Sequence, residues 1–223
     1  MMLLARSVHL LMPLSIVLAF LFAPPAHILG ETGRLIYFHV PVAWVSVLAF
    51  SASAVIAAMY LAGGKSRTRL VEARFHNSAA IGTLFVLLAT ATGSVWARLM
   101  WGSYWNWDPR EISIALLLLV YAAYFSLRAA LAGNPARGRL CAAYLILSAA
   151  TVPFFVFVIP RIYPSLHPDP VINPGFELQL DSRMRAVLVV SLLSFSMLYL
   201  YLFKLANRLS GARIAIEEMR NEE

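Results

Sequence analysis

Trp101-Gly102-Ser103-Tyr104-Trp105-Asn106-Trp107-Asp108-Pro109-Arg110-Glu111 separates two long apolar runs, Ile81 to Val95 before it and Ile112 to Leu127 after it. The stretch is too polar to cross hydrocarbon and too aromatic for an ordinary soluble loop. Flat rings with one polar edge are stable at a membrane surface, so the stretch belongs there and its flanks read as spans.

Working outward, apolar segments of the ~20 residues needed to cross a bilayer fall at 8–29, 40–62, 77–98, 112–132, 140–160 and 186–206. These are continuous runs rather than short alternating strands, which excludes a transmembrane barrel. The expected fold is all-α: a polytopic integral membrane protein with six transmembrane helices. Residues 1–210 form one domain with outer loops 30–39, 99–111 and 161–185, and 211–223 form a charged, solvated tail. The first run, Val8 to Ala23, is long for the core of a cleavable leader and reads as a retained span.

Composition agrees. Of 223 residues 61% are hydrophobic and 13% charged, about half the usual charged share of ~25%. The net charge of +7 reflects basic loops on one side of a bilayer and not a nucleic-acid surface. Cys141 has no partner for a disulfide or a CxxC site and reads as packing.

Basic residues set the orientation. Lys65, Arg67, Arg69 and Arg74 face Glu72 alone in one loop. Arg128, Arg137 and Arg139 mark a second, and Lys204, Arg208 and Arg213 open the tail. The other loops balance their charges: Glu31 with Arg34, Asp108 and Glu111 with Arg110, and Asp169, Glu177 and Asp181 with Arg161, Arg183 and Arg185. The basic side is cytoplasmic, so both termini are cytoplasmic and the tryptophan stretch faces outward.

This topology sorts the five histidines. His9 and His76 lie at inner ends of spans, whereas His27, His39 and His167 share the outer face. His39 starts the second span with Pro41 in its first turn, where a missing N–H is harmless. His167 sits in Tyr163-Pro164-Ser165-Leu166-His167-Pro168-Asp169-Pro170, a stiff connection. A lone histidine at a helix end is commonly polar surface. Two neutral imidazoles beside an aromatic floor can serve as axial ligands to haem iron. His27 follows Pro24-Pro25 and lacks comparable surroundings.

The stretch itself has a structural reading: Asp108 as N-cap, Pro109 at the first helical position and Glu111 three residues after the cap. Interfacial rings can also be simple anchors, but a belt scatters them across helices, and here four fall in one connection with Trp96 nearby. In a shallow interfacial helix Trp101, Tyr104, Trp105 and Asp108 would share a face. Such a slab suits a large flat ligand. Arg110 would meet polar groups at its rim, and Gly102 would permit close backbone approach. Porphyrin, quinone and lipid headgroup all fit that description.

Trp101-Gly102-x-x-Trp105-x-Trp107-Asp108 resembles the tryptophan-rich WWD signature of haem-handling proteins of cytochrome c biogenesis. The six spans, His-Val-Pro-x-Ala-Trp at 39–44 and His167 in the last outer loop resemble the CcmC family within that superfamily. The Asp108-Pro109-Arg110-Glu111 ending is more like the longer CcsA and CcmF relatives. The resemblance implies binding of haem b on the periplasmic side of a bacterial inner membrane and delivery to the haem chaperone CcmE, with CcmA, CcmB and CcmD as partners. It further implies that His39 and His167 are the axial ligands and that Trp101, Gly102, Tyr104, Trp105, Trp107, Asp108 and Arg110 form the platform. No nucleophile with an adjacent base and no CxxCH is present, so the chain reads as a non-enzymatic presenter of haem. The alternative, a transporter moving haem or another substrate across the bilayer, would need polar groups inside the spans, which are few.

Overall fold

Among the described residues of this computed structural model, six helical segments are long and apolar enough to cross a membrane. The structure describes residues 1–27, 29–64, 68–167 and 180–221; Lys65, Arg67, Pro168, Asp169, Pro170, Glu177, Glu222 and Glu223 lie outside them. Helix α1 covers Met2–Val17 and widens into a π-helical turn at Leu18–Phe22. A 3₁₀ turn at Glu31–Leu35 leads into α2, Ile36–Ala62. Then come α3, Arg69–Trp101, and α4, Pro109–Ala130. The fifth span is α5, Arg137–Pro153, a second π-helical stretch at Phe154–Val158, and the short α6, Ile159–Ile162. Helix α7, Ser182–Arg220, closes the chain. The chain is a multi-pass, all-helical membrane protein.

Each expected crossing has its helix, but the bounds differ. The first stops at Phe22, short of the expected end at 29, and α4 stops at Ala130, whereas α3 and α7 run past both of their expected ends. At 1.5 Å per residue, α3 with 33 residues and α7 with 39 exceed the ~30 Å hydrocarbon core. Apolar length marks the lipid crossing and says nothing of where hydrogen bonding stops. The charged tail is helical: it continues α7 to Arg220. Asn77 Nδ2 donates to Asn207 Oδ1 at 2.9 Å and to Ser210 Oγ at 3.0 Å, Arg69 pairs with Glu217, and Arg213 pairs with Glu217 at 3.1 Å. At the second span, helix begins before His39, so Pro41 lies inside α2 instead of in its first turn.

Helix α2 is central and packs on α3, α5 and α7, while α1 lies against α7. One cluster joins α2 to α5 through Phe50, Phe75, Leu117, Tyr121, Tyr124 and Cys141; a second joins α2, α3 and α7 through Val45, Phe85 and Phe195. Lipid is as apolar as these side chains, so close packing and internal polar contacts hold the helices together. Buried Glu72 of α3 accepts from Arg128 of α4 at 2.8 Å and from Arg137 of α5 at 2.9 Å. That contact ties three helices at the end opposite the tryptophan stretch.

Candidate functional site

Helix α3 stops at Trp101 because Gly102 takes φ +79°, the left-handed conformation glycine adopts without a Cβ penalty, and its N–H caps the Arg98 carbonyl at 3.1 Å. No shallow interfacial helix follows: 102–108 are non-helical until Asp108 starts α4. Expecting a continued helical face there overlooked Gly102 as a stop signal. Trp107 holds φ +57° without being glycine. Glu111 Oε2 secures both sides of it, accepting from Asn106 N at 2.7 Å and Asp108 N at 3.3 Å.

Asp108 is the structural centre of this turn. It is only 4% exposed and forms the capping box with Glu111. Its Oδ1 accepts from Arg110 N at 2.9 Å and from Ser165 Oγ at 2.8 Å, and its Oδ2 accepts from Leu166 N at 2.7 Å. Ser165 Oγ in turn accepts from His167 N at 3.1 Å. The first turn of α4 therefore holds the loop that carries His167.

That loop delivers His167 to His39, with ring centroids 6.1 Å apart and planes tilted by 37°. Trp96 stands 5.7 Å from the His167 ring and packs edge-on against Trp101 at 5.0 Å. These residues line a cavity of about 730 Å³ at the tryptophan-stretch end of the spans, with Trp44, Trp105, Asp108 and Arg110 also in its wall. Gly102, Tyr104 and Trp107 lie outside that lining, and Tyr104 and Trp107 are 61% and 75% exposed. His27 does reach the cavity wall, beside Pro24 and Pro25.

The two imidazoles have different partners. His39 Nδ1 lies 3.0 Å from Thr92 Oγ1, whose own hydrogen goes to the Leu88 carbonyl at 2.8 Å or that of Ala89 at 3.1 Å. The hydroxyl therefore accepts, Nδ1 carries the hydrogen, and Nε2 keeps its lone pair. His167 Nδ1 lies 3.3 Å from Arg110 Nη1. A guanidinium only donates, so this Nδ1 accepts. Gly93 gives the His39 ring its room: a Cβ there would stand 3.0 Å from His39 Cε1. Thr92 and Gly93 were not singled out from sequence, since a small hydroxyl residue and a glycine in a span look like ordinary helix contacts.

Chemically, the cavity combines neutral imidazole nitrogens, indole faces and a cation. Its size is within the ~300–1,000 Å³ of small-molecule sites. Two imidazoles with ring centroids 6.1 Å apart are close enough that both could offer a nitrogen to one metal ion, which would supply Lewis-acid or redox chemistry there.

Comparison with known sequences gives the chain a family. The family described as heme exporter protein C, CcmC, matches residues 1–222. The chain is 31% identical over 201 residues to heme exporter protein C of Bradyrhizobium diazoefficiens, covering 88% of this chain and 74% of that one. It is 30% identical over 211 residues to heme exporter protein C of Rhodobacter capsulatus, covering 92% and 83%. With the Escherichia coli K12 heme exporter protein C it shares 29% over 177 residues, covering 79% and 69%. The chain belongs to the heme exporter protein C family.

Proposed function

We propose that this chain binds haem b at the outer, periplasmic face of a bacterial inner membrane and passes it to the haem chaperone CcmE during cytochrome c maturation. It works in a complex with the ABC-type subunits CcmA and CcmB and the small subunit CcmD, with both termini in the cytoplasm. The observation that carries this reading is the approach of His39 and His167 at 6.1 Å beside one cavity, in a chain of the heme exporter family.

In this reading haem is cargo, and the protein's residues bind, orient and shield it. His39 and His167 supply nitrogen to iron, Trp96, Trp101 and Trp105 cover the apolar ring, and Arg110 answers a carboxylate at the rim. Asp108 acts one step back by holding the His167 loop. We read the chain as presenting haem and leaving covalent attachment to its partner; the Thr92 hydroxyl beside His39 is turned to the helix carbonyls of Leu88 and Ala89.

The test is an absorption spectrum of the purified full chain, oxidised and reduced, with and without added haem. Wild type should show a Soret band of bis-imidazole haem, and His39→Ala and His167→Ala should each alter it. Wild-type spectra in both variants would overturn the ligand assignment.

A further inference from the structure

Resting on that haem-binding reading, we propose that the two imidazoles have unequal jobs: His39 is the standing ligand, and His167 is a latent one that Arg110 releases when a porphyrin carboxylate draws its guanidinium away.

The inference follows from lone pairs. A neutral imidazole has one nitrogen bearing hydrogen and one able to donate an electron pair to a metal. Thr92 accepts at His39 Nδ1, which leaves His39 Nε2 ready to bind. Arg110 donates to His167 Nδ1 at 3.3 Å, so the one lone pair of His167 is already engaged and its Nε2 bears the hydrogen. A metal bond at Nδ1 would have to displace Arg110. A metal bond at Nε2 would move the hydrogen to Nδ1, directly against a guanidinium that can only donate. By either nitrogen, ligation by His167 and its contact with Arg110 exclude each other.

Arg110 lies where this exclusion can be used. It is two residues past Asp108 in the first turn of α4, the same turn that holds Ser165 and Leu166, and it lines the cavity. The loop therefore stays in place while the guanidinium changes partner. A carboxylate matches that guanidinium far better than a neutral imidazole does, because both groups are charged and their geometries are paired. Recognition of the carboxylated edge then licenses the second iron bond, and loss of that edge contact lets Arg110 take the His167 lone pair back. The site thus has a route to let go of its cargo that needs no unfolding of the loop.

Two measurements test this. In the haem-free full chain, nitrogen-15 NMR of the imidazoles should find His39 with hydrogen on Nδ1 and His167 with hydrogen on Nε2, and Arg110→Met should abolish the His167 preference. With haem added, ordinary haem should give six-coordinate, two-imidazole spectra, whereas haem dimethyl ester, lacking free carboxylates, should remain largely on His39 alone. The equilibrium between one and two imidazoles should differ by about tenfold between the two forms, the weight of one charge-assisted hydrogen bond. In Arg110→Met the two forms should become alike. Equal two-imidazole binding of acid and ester by wild type, or a His167 that carries its hydrogen on Nδ1, overturns the proposal while leaving haem binding intact. Absence of any haem spectrum would instead overturn the functional reading on which it rests.

Discussion

The carboxylate of Asp108 accepts a hydrogen bond from the backbone N–H of Leu166 at 2.7 Å, across 58 residues of chain. One residue on from Leu166 is His167. The acid that caps α4 is therefore also the fastening of the loop that brings an imidazole within 6.1 Å of His39. In the proposed haem site its part is the placement of another residue.

Asp108→Ala should leave Leu166 N–H and Ser165 Oγ without their acceptor and remove the cap of α4. The expected loss is about 2 kcal/mol or more in the stability of the solubilised protein, with a fall in two-imidazole haem. Asp108→Asn keeps an oxygen and should be milder on both counts. Thermal unfolding and the haem spectrum, recorded together, check this; an alanine variant that keeps the wild-type spectrum would show that the loop stands without the clasp.

Thr92→Val removes the acceptor for His39 Nδ1–H at nearly constant volume. Groups that orient a metal-binding imidazole typically contribute about 10–100-fold to affinity, and a loss in that range is expected. Thr92→Ser should restore most of it. Haem titration of the three proteins decides the matter, and equal affinity for valine and threonine would remove Thr92 from the site.

Gly93→Ala separates stability from binding. Alanine is the better helix former by about 1 kcal/mol, yet its Cβ would press on His39 Cε1 at 3.0 Å. The variant should unfold no more easily than wild type while holding haem more weakly, and Gly93→Val should be worse. A variant that gains stability and binds haem normally would mean that the ring accommodates the methyl group.

Glu72→Ala tests the opposite end. It would leave Arg128 and Arg137 facing each other without their shared carboxylate, at a cost of about 3 kcal/mol. Arg137 is partly open to water, which limits the loss. Unfolding should occur at lower temperature with an unchanged haem spectrum, because the contact is remote from the cavity that His39 and His167 line.

Much of the architecture was legible in the sequence because bilayer thickness makes apolar length a direct signal. All six crossings follow from it. Sorting polar residues by side grouped His27, His39 and His167 on one face, and the structure brings His39 and His167 to 6.1 Å while His27 lines the same cavity. The helix start at Asp108 was also readable, since Asp108-Pro109-x-Glu111 is a local pattern with a local cause. The second use of Asp108 was not, because nothing in a local pattern points to Ser165 and Leu166. The course of 102–108 turned on Gly102 ending α3, a signal outweighed in the reading by the spacing of aromatic rings. Thr92 and Gly93 act only through His39, more than fifty residues away, and carry no mark of their own. The helical tail was hidden for a related reason: its charges suggested solvent, and the contacts that order it lie on α3.

The widened turn at Phe154–Val158 fixes an angular phase. A π-helical turn amounts to one residue inserted into regular helix, and each residue advances a helix by roughly 100°. Deleting a single residue there would restore ordinary winding and swing everything downstream, from Ile159 to the His167 loop, by nearly a third of a revolution. Phe155 and Val156, which line the cavity from within this turn, would rotate with it. The azimuth at which the last loop leaves the membrane is therefore written into the bundle wall, well before the chain reaches Ser165.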